Sequence, residues 1–130
     1  MNYLERWAEG LLLSRSGLVR NSVRVEGTRK AHLGPRLELA GIEFLLAPAE
    51  GFTVTIAVEG KDVGLEWRTF IDAAIFGFLD VVMTTDSYPL KNIHLTVIDV
   101  AVDPISSSAV AFRHAGRDAA HKFLEAQKTR

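Results

Sequence analysis

Hydrophobic and polar positions alternate over most of the first half of the chain. Val23 and Val25 alternate with the charged residues Arg24 and Glu26, and the same period of two returns twice further along. A period of two is typical of strands that bury one face. The pattern predicts three strands, at residues 22–27, 37–46 and 52–59.

Turn residues separate these strands. Residues 27–35 have the composition of a turn, and the sequence PAEG at 48–51 predicts a second turn. Gly41, inside the second strand, marks a site for a β-bulge. Three successive strands joined by tight turns predict an antiparallel meander.

The hydrophobic period then changes to that of a helix. Residues 65–83 contain no proline and place a broad apolar face on one side. Residues 93–102 return to a strand pattern rich in β-branched side chains, and serines 106–108 can cap a helix over 107–126. The chain therefore predicts an α+β fold of order β-β-β-α-β-α, in which two helices cover one face of a four-stranded sheet.

The helix predicted at residues 65–83 is apolar beyond one face. Phe76, Val81 and Met83 lie outside its main apolar stripe, so a further surface should cover them. One candidate is the N-terminal segment 1–21, which has apolar residues near helical spacing. The other candidate is a second copy of the chain. We predict a homodimer through the first helix and the N-terminal segment.

The composition predicts a single cytoplasmic domain. The chain has 130 residues, 48% of them hydrophobic and 24% charged, which suffices for one core and disfavours disorder. The absence of cysteine excludes disulfides and cysteine-based zinc sites. Acidic residues near the N-terminus argue against a signal peptide, and no apolar run is long enough to span a membrane. We divide the domain into an extension (1–21), a core (22–126) and a tail (127–130).

Charge is unevenly distributed, although the formal net charge is only −1. Basic residues outnumber acids between residues 15 and 36, where His32 could join a basic patch. The last predicted helix carries further arginines at a spacing of four, which places them on one stripe. A phosphate-binding face would then consist of Arg24, Arg29, Lys30, Arg113 and Arg117. The alternative is that these side chains are only the solvated faces of a strand and a helix.

No sequence pattern indicates catalysis. The hydroxyls of serines 106–108 are better explained as helix caps, and His94 as a structural or exposed strand residue. The chain has no Gly-x-x-x-x-Gly-Lys-Ser/Thr loop, so it lacks the phosphate cradle of a GTPase. We therefore expect no catalytic residue, no metal site and no nucleotide or other cofactor.

One stretch of the chain carries a more specific pattern. Residues 88–112, YPLKNIHLTVIDVAVDPISSSAVAF, resemble the end of domain IV of translation elongation factor G. That family has a Tyr-Pro pair, an alternating strand, a tip loop and a helix that opens Asp-Ser-Ser-Glu-Met-Ala-Phe-Lys. Residues 106–113 align with this opening without a gap, and Gly51, Phe52 and Trp67 match positions of the preceding strand and first helix. The resemblance covers residues 22–126.

The resemblance implies the fold called ribosomal protein S five domain two-like, with a left-handed βαβ crossover. In the elongation factor, this domain reaches the decoding site and contacts transfer and messenger RNA. We therefore expect a non-enzymatic stand-alone module that binds RNA or a ribosomal site. The aligned tip loop is Asp103, Pro104, Ile105 and Ser106, where the family has a histidine before an acidic run. An acid there faces phosphate unfavourably, which favours the alternative of a protein-interaction or oligomeric scaffold that lost the RNA role.

Overall fold

Four strands and two helices make up the part of the chain that the computed structural model describes, which is residues 22–58, 65–84, 92–103 and 105–128. The elements are β1 (Val23–Leu33), β2 (Arg36–Pro48), β3 (Thr53–Ile56), α1 (Leu65–Val82), β4 (Ile93–Ala101) and α2 (Ala109–Lys128). This order confirms the α+β fold that the sequence predicts. The N-terminal segment 1–21 lies outside the described residues.

The strands are ordered β1-β2-β4-β3 across the sheet. β1 and β2 are antiparallel, β2 and β4 are antiparallel, and β3 is parallel to β4. The predicted meander is therefore wrong, because β4 lies between β2 and β3. Ile93, Leu95 and Val97 of β4 are fully buried, and a central position gives these side chains neighbours on both sides.

The β1–β2 hairpin is longer than the sequence predicts. Residues 27–33 belong to β1, and the connection is only the two residues Gly34 and Pro35, since Leu33 pairs with Arg36. Gly34 has a φ of 65°, which suits the first position of a type II′ turn. Gly27 serves packing instead of a turn, because a Cβ there would lie 1.9 Å from the carbonyl oxygen of Ala115 in α2.

The irregularity in the pairing of β2 with β4 also differs from the bulge predicted at Gly41. Gly41 pairs regularly with Ala101, and the register shift lies between Glu43 and Phe44. The shift has a physical consequence, since an extra residue in β4 changes which side chains point to each face. Val97 and Val100 are consequently both buried.

Both helices cover the same face of the sheet. The ring of Phe78 in α1 contacts Phe44 of β2 edge-on at 5.5 Å and lies 5.8 Å from Phe123 of α2. The helices also touch each other closely, since a Cβ on Gly116 would lie 1.8 Å from the carbonyl oxygen of Ala74. Burial of apolar area between the sheet and the two helices is the main stabilising term of the fold. Neither of the two described helices combines the length and the hydropathy that a transmembrane span requires.

Candidate nucleic-acid interface at the end of the hairpin

The far end of the β1–β2 hairpin projects beyond the helices. Between residues 28 and 37 both faces of the hairpin are exposed or half-buried. Lys30, His32 and Arg36 are exposed there. Leu33, which directly precedes the turn, is 50% exposed. A two-stranded ribbon of this kind is stable only if something holds its base.

The loop that follows β4 holds the hairpin. The Leu39 N–H donates to the carbonyl of Ser106 at 3.1 Å, and the Ser107 hydroxyl donates to the carbonyl of Leu39 at 2.7 Å. The Ser108 hydroxyl accepts the N–H of Ala111 at 3.1 Å, as a helix N-cap does. We call residues 28–38, Asp103 and 105–107 the tip. Ile105 is the more exposed of its two exposed large hydrophobic side chains, at 94% against 50% for Leu33.

The carboxylate of Asp103 is used inside the tip. It accepts the N–H groups of Ile105 at 2.9 Å and Ser106 at 2.8 Å. These hydrogen bonds, first that of Ser106 and then that of Ile105, hold the pKa of Asp103 below its ordinary value. The acid therefore orders the loop, although it keeps its negative charge. Pro104, the other residue of the aligned tip loop, lies outside the described residues.

A buried ion pair supports the base of the tip. The Nε–H of Arg29 donates to one carboxylate oxygen of Glu38 at 3.1 Å, and Nη2 of Arg29 lies 3.0 Å from the same oxygen. Glu38 is only 3% exposed and is the one charged residue of the described part that is fully buried. Little in the sequence signals this burial, because Glu38 looks like any polar residue in an alternating strand.

The five basic residues predicted to form one face do not share a surface. Lys30 lies at the tip. Arg24 is on the same face of the sheet, but it pairs with Leu45 and lies about 20 Å from Lys30 along β1. Arg29 is held by Glu38 on the helix-covered side. The remaining two, Arg113 and Arg117, lie on α2 in the helix layer.

Arg113 and Arg117 have acidic and aromatic partners. Both face Asp80 of α1; Arg117 donates a hydrogen bond to that carboxylate, and Arg113 lies 4.0 Å from it. The guanidinium of Arg113 also lies 4.8 Å from the ring centroid of Phe76. The structure thus brings this pair together but separates it from Lys30. His32 and Arg36, which are also exposed at the tip, were outside the predicted set of five although they lie in the same basic segment.

His94 lies on the open face of the sheet. Its Nδ1 is 2.5 Å from the hydroxyl of Thr53 and its Nε2 is 3.1 Å from the hydroxyl of Thr55. Since a hydroxyl can donate or accept, these two neighbours satisfy either neutral tautomer. The histidine therefore joins β4 to the short edge strand β3.

A groove of about 460 Å³ lies between the first halves of the two helices. Ala73, Phe76, Ala109 and Val110 form most of its apolar lining, and Val110 is 55% exposed. Asp72 and Arg113 add charge at its sides. Burial raises the pKa of Asp72, while the charge of Arg68 opposes that rise.

Comparison with known proteins supports the fold. No protein-family model matches the chain, and no curated protein matches its sequence. The structure is similar to a crystal structure of a protein from Thermus thermophilus, with a TM-score of 0.72 and 18% sequence identity. The similarity covers 87% of this chain and 18% of that one, so this chain spans less than a fifth of its length. At this identity the likeness shows the fold alone.

Proposed function

We propose that this protein is a non-enzymatic cytoplasmic module of the translation machinery that binds RNA or a ribosomal site through the tip. The observation that carries the proposal is the convergence of the hairpin and the loop after β4, which presents Lys30, His32 and Arg36 on one projection. Both carboxylates of the tip are engaged, Glu38 by Arg29 and Asp103 by backbone N–H groups. The resemblance to elongation factor G domain IV also supports the proposal that this end of the domain contacts RNA.

The expected contacts are electrostatic. Lysine and arginine side chains at the end of a narrow ribbon can follow the phosphates of a folded RNA without reading its sequence. Binding should therefore weaken as salt rises, with a log–log slope of roughly −0.7 for each phosphate contacted on a single strand. Ile105, which is 94% exposed in the same tip, would contribute apolar contact with a base or sugar.

The test compares two double variants of equal charge. Lys30→Ala with Arg36→Ala removes two positive charges from the tip, and Arg113→Ala with Arg117→Ala removes two from the helix layer. Each protein is sedimented with purified ribosomes at about 50 mM salt and again at higher salt. We expect the tip variant to lose most binding and to show a salt slope flatter by about one to two units, while the helix variant keeps the wild-type slope.

Two results would reject this function. Equal losses in both variants would indicate a diffuse charge effect, and undetectable binding of the wild-type protein to ribosomes or mixed RNA would remove the proposal altogether. Thermal unfolding of every variant shows whether a loss of binding reflects a loss of folding.

A second candidate function rests on the groove between the helices. Its apolar lining and the exposed Val110 are typical of a surface that binds another protein, and they support a homodimer or an interaction scaffold. Analytical ultracentrifugation at micromolar protein tests it. A 14.3 kDa species alone would count against the homodimer, and Val110→Lys should dissociate a dimer if this groove forms its interface.

A further inference from the structure

A cleft opens beside the tip where β4 leaves the sheet. The pairing of β2 with β4 ends at Gly41 and Ala101, and the chain returns to β2 only at Leu39, through Ser106. A space of about 630 Å³ lies at this gap. Its polar and aromatic lining consists of Glu26, Thr28, Arg29, Lys30, Trp67 and Asp103.

We propose that this cleft binds one unstacked base of a single-stranded RNA; the proposal deepens the RNA-binding function above and rests on it. The volume lies within the range of ordinary small-ligand pockets and exceeds what a single base needs. Trp67, at the start of α1, is half-buried in this lining. An indole ring is a platform on which any base can stack.

The charges of the lining favour a base over a phosphate. The positive charges of Arg29 and Lys30 are matched by the carboxylates of Glu26 and Asp103, and Arg29 is already paired with Glu38. A phosphate would lose its hydration and face two carboxylates. A base carries no net charge, and an exocyclic amino group on its edge could donate to Glu26. Asp103 is the weaker acceptor because its carboxylate already binds two N–H groups.

The cleft is continuous with the tip through Lys30. This residue belongs to the exposed basic group of the hairpin and also lines the cleft. A strand with a phosphate on Lys30 would place a neighbouring base in the cleft, because Lys30 and Trp67 line the same space. Phosphate contacts would then set the position of the strand, and the cleft would contribute a preference for a base.

The experiment uses the full chain with Trp7→Phe. Since the sequence has two tryptophans, this change leaves Trp67 as the only one. Hexacytidine and hexauridine have equal phosphate charge and differ on the Watson–Crick edge of the base, where cytosine has an exocyclic amino group and uracil has a carbonyl and an N3–H. Both are titrated while the fluorescence of Trp67 is followed. Affinities of the variants that lack Trp67 come from the anisotropy of dye-labelled oligomers. We expect quenching with both oligomers, tighter binding of hexacytidine, and about 10-fold weaker binding of both after Trp67→Ala, whereas Trp67→Phe restores most of the affinity.

A second variant tests the edge of the base. Glu26→Gln leaves the stacking platform in place but replaces a charged acceptor with an amide, so the preference for cytidine should shrink to about 2-fold or less. This variant keeps the test decisive if Trp67→Ala unfolds the protein. Neither variant should change the salt slope, because neither removes a phosphate contact.

The outcomes separate the two proposals. If Lys30→Ala with Arg36→Ala weakens RNA binding but no oligomer quenches Trp67 and Trp67→Ala binds normally, the tip binds RNA and the base cleft is rejected. Cytidine alone, at millimolar concentration, tests the cleft without phosphates. A shift of the Trp67 indole N–H resonance supports the cleft even if ribosome binding fails, and the absence of a shift together with unquenched fluorescence overturns it.

Discussion

The hydroxyl of Ser107 donates a 2.7 Å hydrogen bond to the carbonyl of Leu39, which lies 68 residues earlier in the chain. The same hydroxyl accepts the N–H of Asp103 at 2.9 Å. One side chain therefore connects the loop after β4 both to itself and to β2. Together with the hydrogen bond from the Leu39 N–H to the carbonyl of Ser106, this serine joins the loop after β4 to β2 and so helps to order the tip.

Replacing Ser107 with alanine should loosen the tip. The change removes both hydrogen bonds, and we expect it to lower the free energy of unfolding by about 1 to 2 kcal/mol. Amide hydrogen exchange of Leu39, whose N–H donates to Ser106, should become faster. Ser108→Ala is the matched control, since it removes a helix cap at a cost of about 1 kcal/mol but leaves the Leu39 contacts intact. Equal exchange rates in the two variants would refute this role for Ser107.

The pKa of Asp103 predicts how the tip responds to acid. Because backbone N–H groups lower the pKa of the folded state, this carboxylate stabilises the fold above its unfolded pKa of about 3.9. The stabilisation is lost as the pH falls through the still lower folded pKa. Asp103→Asn should therefore destabilise the protein at neutral pH, with a difference that vanishes as the pH falls through the folded pKa. A stability difference independent of pH would contradict this.

Asp72 should show the opposite dependence. Burial raises its folded pKa, so its ionised form costs stability above that pKa, and protonation relieves the cost as the pH falls. Asp72→Asn should raise the unfolding temperature at about pH 7 and have a smaller effect near pH 3. Urea titrations of this variant and of Asp103→Asn at several pH values would show the two opposite trends. A destabilising Asp72→Asn at neutral pH would indicate that the attraction between Asp72 and the charge of Arg68 outweighs burial.

The contact between the two helices leaves no room for a side chain at Gly116. A methyl group there would overlap the carbonyl of Ala74, because the ideal Cβ position lies 1.8 Å from that oxygen. We expect Gly116→Ala to cost about 3 kcal/mol despite the better helix propensity of alanine. His114→Ala, at an exposed position of the same helix, should change stability little. A variant Gly116→Ala as stable as the wild type would show that the helices separate easily.

The Arg29–Glu38 pair should respond unequally to loss of either partner. Arg29→Met leaves an almost fully buried carboxylate without a counter-charge, and we expect a loss of about 3 kcal/mol. Glu38→Gln should cost less, since the side chain of Arg29 is 29% exposed and can reach water. Lys30→Met is the control, because it removes an exposed positive charge next to Arg29 in sequence. Urea midpoints of the three variants give the ranking, and the reverse order for Arg29 and Glu38 would contradict the argument.

Local patterns in the sequence were enough for the elements and for the fold class. The period of two around Val25 and the broader apolar stripe around Ile75 depend only on neighbours in the chain, and the buried residues of the structure follow both. Ser108 as the helix cap was equally local, because the capped N–H belongs to Ala111 three residues later. The candidate basic segment around Lys30 also came from the sequence alone.

Only the tertiary structure decided which residues meet. β4 lies between β2 and β3, so a neighbouring strand covers its apolar residues on each side. No local pattern in the sequence specifies this order of strands. In the sequence Gly27 looks like a turn residue, and only the packing of α2 against it shows why a glycine is needed there. Arg24 and Arg113 are both positively charged, but they do not lie on one surface. The tip contains the hydrogen bond from the Ser107 hydroxyl to the Leu39 carbonyl. These two residues meet only when the sheet and the last helix have packed together. Contacts between distant residues depend on the packing of whole layers, so they could not be predicted from the chain's own periodicity.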